Sequence, residues 1–193
     1  MTAVDGPRTI DVCDTSLYDD PWETYRWLRA NAEKYRIDPD HIGAYGFSAG
    51  GHLSLLLGLT SPSDGLEGEG PNMAYSSAVQ AVVDSAGPTE LSSLPPVLSF
   101  ICQKLLGGTA QEVPEQYEKA SPVTYVRKDS PPVLTISGDE DGAAIEQARL
   151  LDEKMNEAGA RHTLIVKPGK GHEDFIDDPA VWDFFAKNFK VPK

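Results

Sequence analysis

Ser48 lies in Gly46-Phe47-Ser48-Ala49-Gly50, a serine set among small residues. A serine hydroxyl attacks acyl carbon only when it is lifted clear of its neighbours and paired with a general base. The pentapeptide fits G-x-S-x-G, a strained strand-to-helix turn whose glycines avoid collisions and whose next amide, here that of Ala49, faces a developing oxyanion. A competing reading makes Ser48 a small residue in a glycine-rich turn that packs a helix on a strand or cradles a phosphate. The phosphate-loop lysine is absent, which weighs against the latter. The base should be a histidine on a late loop, and His172, in Gly169-Lys170-Gly171-His172, stands there, its alternative being a solvent-exposed loop histidine. His41 reads as a surface residue, His52 as packing in the helix after Ser48, and His162 as preceding a strand with no partner in view. An acid should orient the imidazole. Ser137-Gly138-Asp139-Glu140-Asp141-Gly142 offers three carboxylates, of which Asp139 or Asp141 could instead cap the next helix, and spacing alone does not choose among them.

These groups need elements to hold them. Short β-rich runs alternate with helical stretches, which predicts βα units around a parallel sheet. Strands are expected at residues 42–47, 79–84, 132–137 and 163–166, with one more at 9–13. A first helix opens at Asp20-Pro21 and is expected to bury Tyr25, Leu28, Ala32 and Tyr35. Another follows Ser48 through Leu53 and Leu59. A helix placing Ala148, Leu151, Met155 and Ala158 on one face stops at Gly159, and a last one opens at Asp178-Pro179 to bury Val181, Phe185 and Phe189. Residues 61–77 are rich in Gly, Ser, Pro, Asp and Glu and read as a surface loop. Residues 87–122 are irregular, contain a helix at 97–106, and are a candidate small cap over the site. The whole chain, 1–193, reads as one domain.

Composition narrows the partners. With 17 Lys and Arg against 30 Asp and Glu, the formal charge of −13 repels nucleic acid and anionic lipid, so neither is expected as a partner. No stretch approaches the roughly 20 apolar residues that span a bilayer, and the N-terminus lacks a signal-peptide core, so the expected compartment is cytoplasmic. Cys13 and Cys102 are far apart and read as two free thiols, with no metal site.

The order Ser48, acid, His172 is that of the α/β-hydrolase triad and not of the chymotrypsin or subtilisin folds. Over residues 22–176 the chain resembles bacterial esterases of that superfamily, in the branch of feruloyl and acetyl-xylan esterase-like and hormone-sensitive-lipase-like carboxylesterases. The likeness is carried by Trp27 to Ala32, Ile37 to Ile42, Gly46 to Leu53, Val79 to Leu91 with its Gly87-Pro88-Thr89, Ala120-Ser121-Pro122-Val123, and Pro131 to Asp141. In that family the loop after the third strand reads His-Gly-x-x-Asp with the last Asp as triad acid. The resemblance therefore implies Asp141, with Ser137 in place of the histidine.

It also implies hydrolysis of small-molecule esters, which we expect to be short-chain and to need no metal or organic cofactor. Family members carry a longer front half with a His-Gly-Gly loop that completes the oxyanion hole. This sequence has no His-Gly dipeptide, so the expected fold is a reduced α/β-hydrolase with a mostly parallel sheet flanked by helices. An uncovered sheet edge predicts a homodimer or larger oligomer. Two rival functions remain: a peptidase or deacetylase of the same superfamily, and a weakly active or non-catalytic remnant used for binding.

Overall fold

A computed structural model describes residues 21–189 of the 193. Among them, four strands form one parallel sheet in sequence order: β1 (Gly43–Phe47), β2 (Ala81–Ser85), β3 (Val133–Gly138) and β4 (His162–Lys167). They match the four expected from residue 42 onward to within two residues at each end. The proposed strand at 9–13 and Cys13 lie outside the described residues. β2 and β3 are buried at every position, as a parallel sheet covered on both faces requires.

The helices are α1 (Pro21–Ala30), α2 (Ala32–Tyr35), α3 (Ala49–Leu59), α4 (Pro96–Leu106), α5 (Pro114–Lys119), α6 (Gly142–Ala158) and α7 (Pro179–Phe189). On one face of the sheet, Ala44, Val82 and Val133 pack with Leu55 and Leu59 of α3 and Leu151 and Met155 of α6. On the other, Val83, Leu134 and Ile136 meet Val181 and Phe185 of α7. Six residues of the helix after Ser48, Leu55, Leu56, Leu57 and Leu59 among them, are buried because it lies between the sheet and α1. Register aligns Gly46 with Asp84 and Asp84 with Thr135, so polar groups sit side by side across the middle of the sheet.

The first helix departs from expectation. It breaks at Asn31, and its buried side chains are Trp22 and Arg26, with Tyr25 and Leu28 only partly covered and Tyr35 exposed. Arg26 is held inside by Glu67 at 2.5 Å and Glu23 at 3.3 Å. A helix face counted by apolar residues alone misses a guanidinium whose partner lies 41 residues away.

Residues 87–122 form α4, α5 and connecting turns around a small apolar cluster of Leu91, Leu94, Cys102 and Tyr117. Cys102 is a free thiol. The outer side of α4 leaves Val97, Phe100, Ile101 and Leu105 exposed. No helix among the described residues is long and apolar enough to cross a membrane.

Candidate active site

Ser48 stands between the C-terminal end of β1 and the first residue of α3, with φ 55° and ψ −117°. A positive φ on a residue with a side chain costs roughly 1–3 kcal/mol. Four buried leucines of α3, at about 1.5–3 kcal/mol each, more than offset it. Gly46 makes the turn possible: a Cβ there would lie 2.0 Å from the Gly50 carbonyl oxygen. Serines at this helix position ordinarily cap the first turn with their side chain. Ser48 does not.

Its Oγ lies instead 2.9 Å from Nε2 of His172, and Nδ1 of His172 lies 2.5 Å from Oδ2 of Asp141. A carboxylate only accepts, so Nδ1 carries the proton and Nε2 is left to accept from the serine hydroxyl. The His172 side chain is 49% exposed and that of Asp141 12%, so the histidine opens to solvent while the carboxylate is covered. The Phe47 ring lies 4.8 Å from the imidazole, centroid to centroid.

Asp141 serves two elements at once. Its Oδ1 accepts the Ala144 amide at 3.2 Å, capping α6, while Oδ2 takes the histidine. Helix cap and histidine partner, alternatives in sequence, are two oxygens of one carboxylate. Asp139 turns away and accepts the Gly169 amide at 2.7 Å, fastening the loop that carries His172. The Glu140 amide donates to the Lys170 carbonyl at 2.9 Å. Ala49 supplies the first residue of α3, where helix amides are unpaired and the dipole is positive.

Other anchors were not read from sequence. Ser85 Oγ accepts the Phe175 amide at 3.3 Å and reaches the Glu173 carbonyl at 3.4 Å, and the Tyr45 hydroxyl donates to Asp174. Burial, then the bonded Asp174 carboxylate, holds the Tyr45 phenol above its ordinary pKa. The available signals were a tyrosine inside β1 and a serine closing β2 directly after Asp84.

The remaining histidines sort by burial. His41 is exposed beside Asp38. His52 packs as expected, its Nδ1 donating to the Pro88 carbonyl at 3.0 Å, and burial lowers its pKa. His162 corrects the expectation that it lacks partners. It begins β4 with Nδ1 2.7 Å from Asp152 and Nε2 3.1 Å from Thr135 Oγ1, both reached only through tertiary packing.

The BD-FAE family model matches residues 15–155. The chain belongs to the BD-FAE family. Its fold is that of esterase structures, a parallel sheet flanked by helices. This BD-FAE chain is 35% identical over 159 residues to Esterase LipC of Mycobacterium tuberculosis, an alignment covering 78% of the chain and 39% of LipC. It therefore spans about two fifths of that relative's length. A truncated form of a carbohydrate esterase from gut microbiota superposes with TM-score 0.77 and 32% identity, covering 89% of this chain and 67% of that one. The butyrate-bound thermophilic esterase Est2 of Thermogutta terrifontis superposes with TM-score 0.66 and 26% identity, covering 86% and 61%.

Proposed function

We propose that this chain is a serine esterase that cleaves short acyl esters through Ser48, His172 and Asp141. One observation carries the reading: a serine on a positive-φ elbow, freed from capping its own helix, has its Oγ 2.9 Å from a histidine whose other nitrogen is held by a carboxylate. Kinship with named esterases supports the reaction class, and a butyrate-bound fold neighbour supports short acyl chains.

As Ser48 Oγ bonds to the ester carbonyl carbon, its proton passes to Nε2 of His172, and Asp141 stabilises the imidazolium. The carbonyl π pair moves onto oxygen, and the Ala49 amide donates to that oxyanion. Collapse breaks the bond to the alcohol, which takes the Nε2 proton and leaves an acyl-enzyme. Water then repeats the sequence, giving its proton to Nε2, and the acid departs as Ser48 recovers its hydrogen. Side chains and backbone carry every step.

Hydrolysis of p-nitrophenyl acetate and butyrate by wild type, Ser48→Ala and His172→Ala tests this. Activity is expected in wild type only, and equal rates in all three would sink the esterase reading. Self-association belongs to the same proposal. The apolar face of α4 and β1, which pairs on one side only among the described residues, support it. A strictly monomeric elution profile at micromolar concentration counts against it.

A further inference from the structure

Asp84, between Val83 and Ser85 in β2, is fully buried, and the triad does not use it. Its carboxyl is wedged between two segments of the site. Oδ1 accepts the Gly87 amide at 2.8 Å. A Cβ on Gly51, in the first turn of α3, would lie 2.3 Å from that oxygen. A Cβ on Gly87 would lie 2.4 Å from it and 2.7 Å from the His52 nitrogen. Segment and helix therefore touch at van der Waals limits, with Asp84 as the spacer. Its other oxygen, Oδ2, has no hydrogen-bond partner among the described residues.

The hydrogen-bond string behind Asp84 explains why. Asp152 can only accept, so it fixes the proton on Nδ1 of His162 and leaves Nε2 to take the Thr135 hydroxyl proton. Thr135 faces Asp84 across the β2–β3 register, but its donor is spent. An ionised Oδ2 would be a buried charge with no donor, which costs several kcal/mol. The titratable neighbours do not offset it: burial lowers the pKa of His52 on α3 and of His162 on β4, favouring their neutral forms. Burial likewise pushes Asp84 up to about 7, against the Gly87 amide, which favours the charged form.

We propose that Asp84 is a positioning residue for the nucleophile elbow: a carboxylic acid that keeps its proton and braces residues 87–88 against the first turn of α3. It fixes the Ala49 amide without setting a negative charge behind it. A full charge there would oppose the half positive charge of a helix N-terminus, on which the oxyanion depends. This rests on the reading of Ser48 as nucleophile.

The test is steady-state hydrolysis of p-nitrophenyl acetate from pH 6 to 9, with thermal melts to verify folding. Asp84→Asn keeps an acceptor for Gly87 and stays neutral, so its kcat at pH 6 is expected within about threefold of wild type. Above pH 7, wild type is expected to fall behind Asp84→Asn. Asp84→Ala is expected to lose about 10- to 100-fold in kcat, with KM changed less than about threefold. Gly87→Ala, which drives a methyl into the same contact, is expected to behave like Asp84→Ala and serves if that variant does not fold. A folded Asp84→Asn that loses tenfold or more overturns the proposal. So does a folded Asp84→Ala or Gly87→Ala with wild-type kcat, or an Asp84→Asn to wild-type ratio that stays flat with pH. Residual activity in Ser48→Ala would instead fault the nucleophile assignment.

Discussion

Two histidines of this protein are wired alike. His172 joins Asp141 through Nδ1 and Ser48 through Nε2. His162 joins Asp152 through Nδ1 and Thr135 through Nε2. The likeness ends at the hydroxyl. Ser48 sits on a strained turn at the end of a strand, beside the open end of a helix, with a half-exposed histidine. Thr135 sits inside β3 with nothing exposed, and the His162 side chain is sealed. Connectivity is therefore not chemistry. On the proposed reading, the same acid, imidazole and hydroxyl make a nucleophile where substrate and oxyanion donors can reach, and a rivet where they cannot.

The widest separation should come from removing each hydroxyl. Ser48→Ala is expected to lower kcat on p-nitrophenyl acetate by about 10⁴-fold or more while moving stability by about 0.5 kcal/mol or less. Asp141→Asn should follow at about 10³- to 10⁴-fold in the same assay, because the amide favours the wrong tautomer of His172.

A smaller effect reports on the buried string's neighbour through pH. Asp84 has a folded-state pKa of about 7, above its unfolded value, so its contribution to stability is complete below about pH 4. It is lost as pH rises to 7, by about 4 kcal/mol at most. His162 has the opposite sign: its folded pKa is lowered, so stability falls as pH drops below about 6.5. Denaturation curves of Asp84→Asn between pH 4 and 8 should lack the first slope and keep the second.

Thr135→Val should cost about 1–3 kcal/mol in urea titrations by leaving the His162 Nε2 unpaired, yet keep kcat within about fivefold. Were it to cripple the enzyme and spare the fold, the contrast between the two strings would collapse. Smallest of all, Asp139→Asn can still accept the Gly169 amide through its side-chain oxygen, and kcat should stay within about threefold. A larger loss there than in Asp141→Asn would reassign the acid.

What the sequence disclosed follows what is local. The sheet was legible because each strand is a short run rich in apolar residues, and the elbow because its glycines and serine fall within five residues. Asp141 was not legible from spacing, since three carboxylates share one turn and only the third dimension aims one at His172. The Asp152, His162 and Thr135 string was missed altogether. It draws on α6, β4 and β3, and its members meet only once those elements are packed. The available hints were Asp84 and Thr135, polar residues that follow the apolar pairs Val82-Val83 and Val133-Leu134. Arg26 misled in the same way, its burial depending on a distant glutamate.

Asp141 ends one oxygen on the first turn of α6 and the other on His172. Helix ends fray well before a protein melts. Each time that turn opens, the carboxylate that steadies the imidazole goes with it. Heat should thus silence hydrolysis reversibly some degrees below the unfolding midpoint, with the hinge of that loss a single carboxyl group shared between a helix and a reaction.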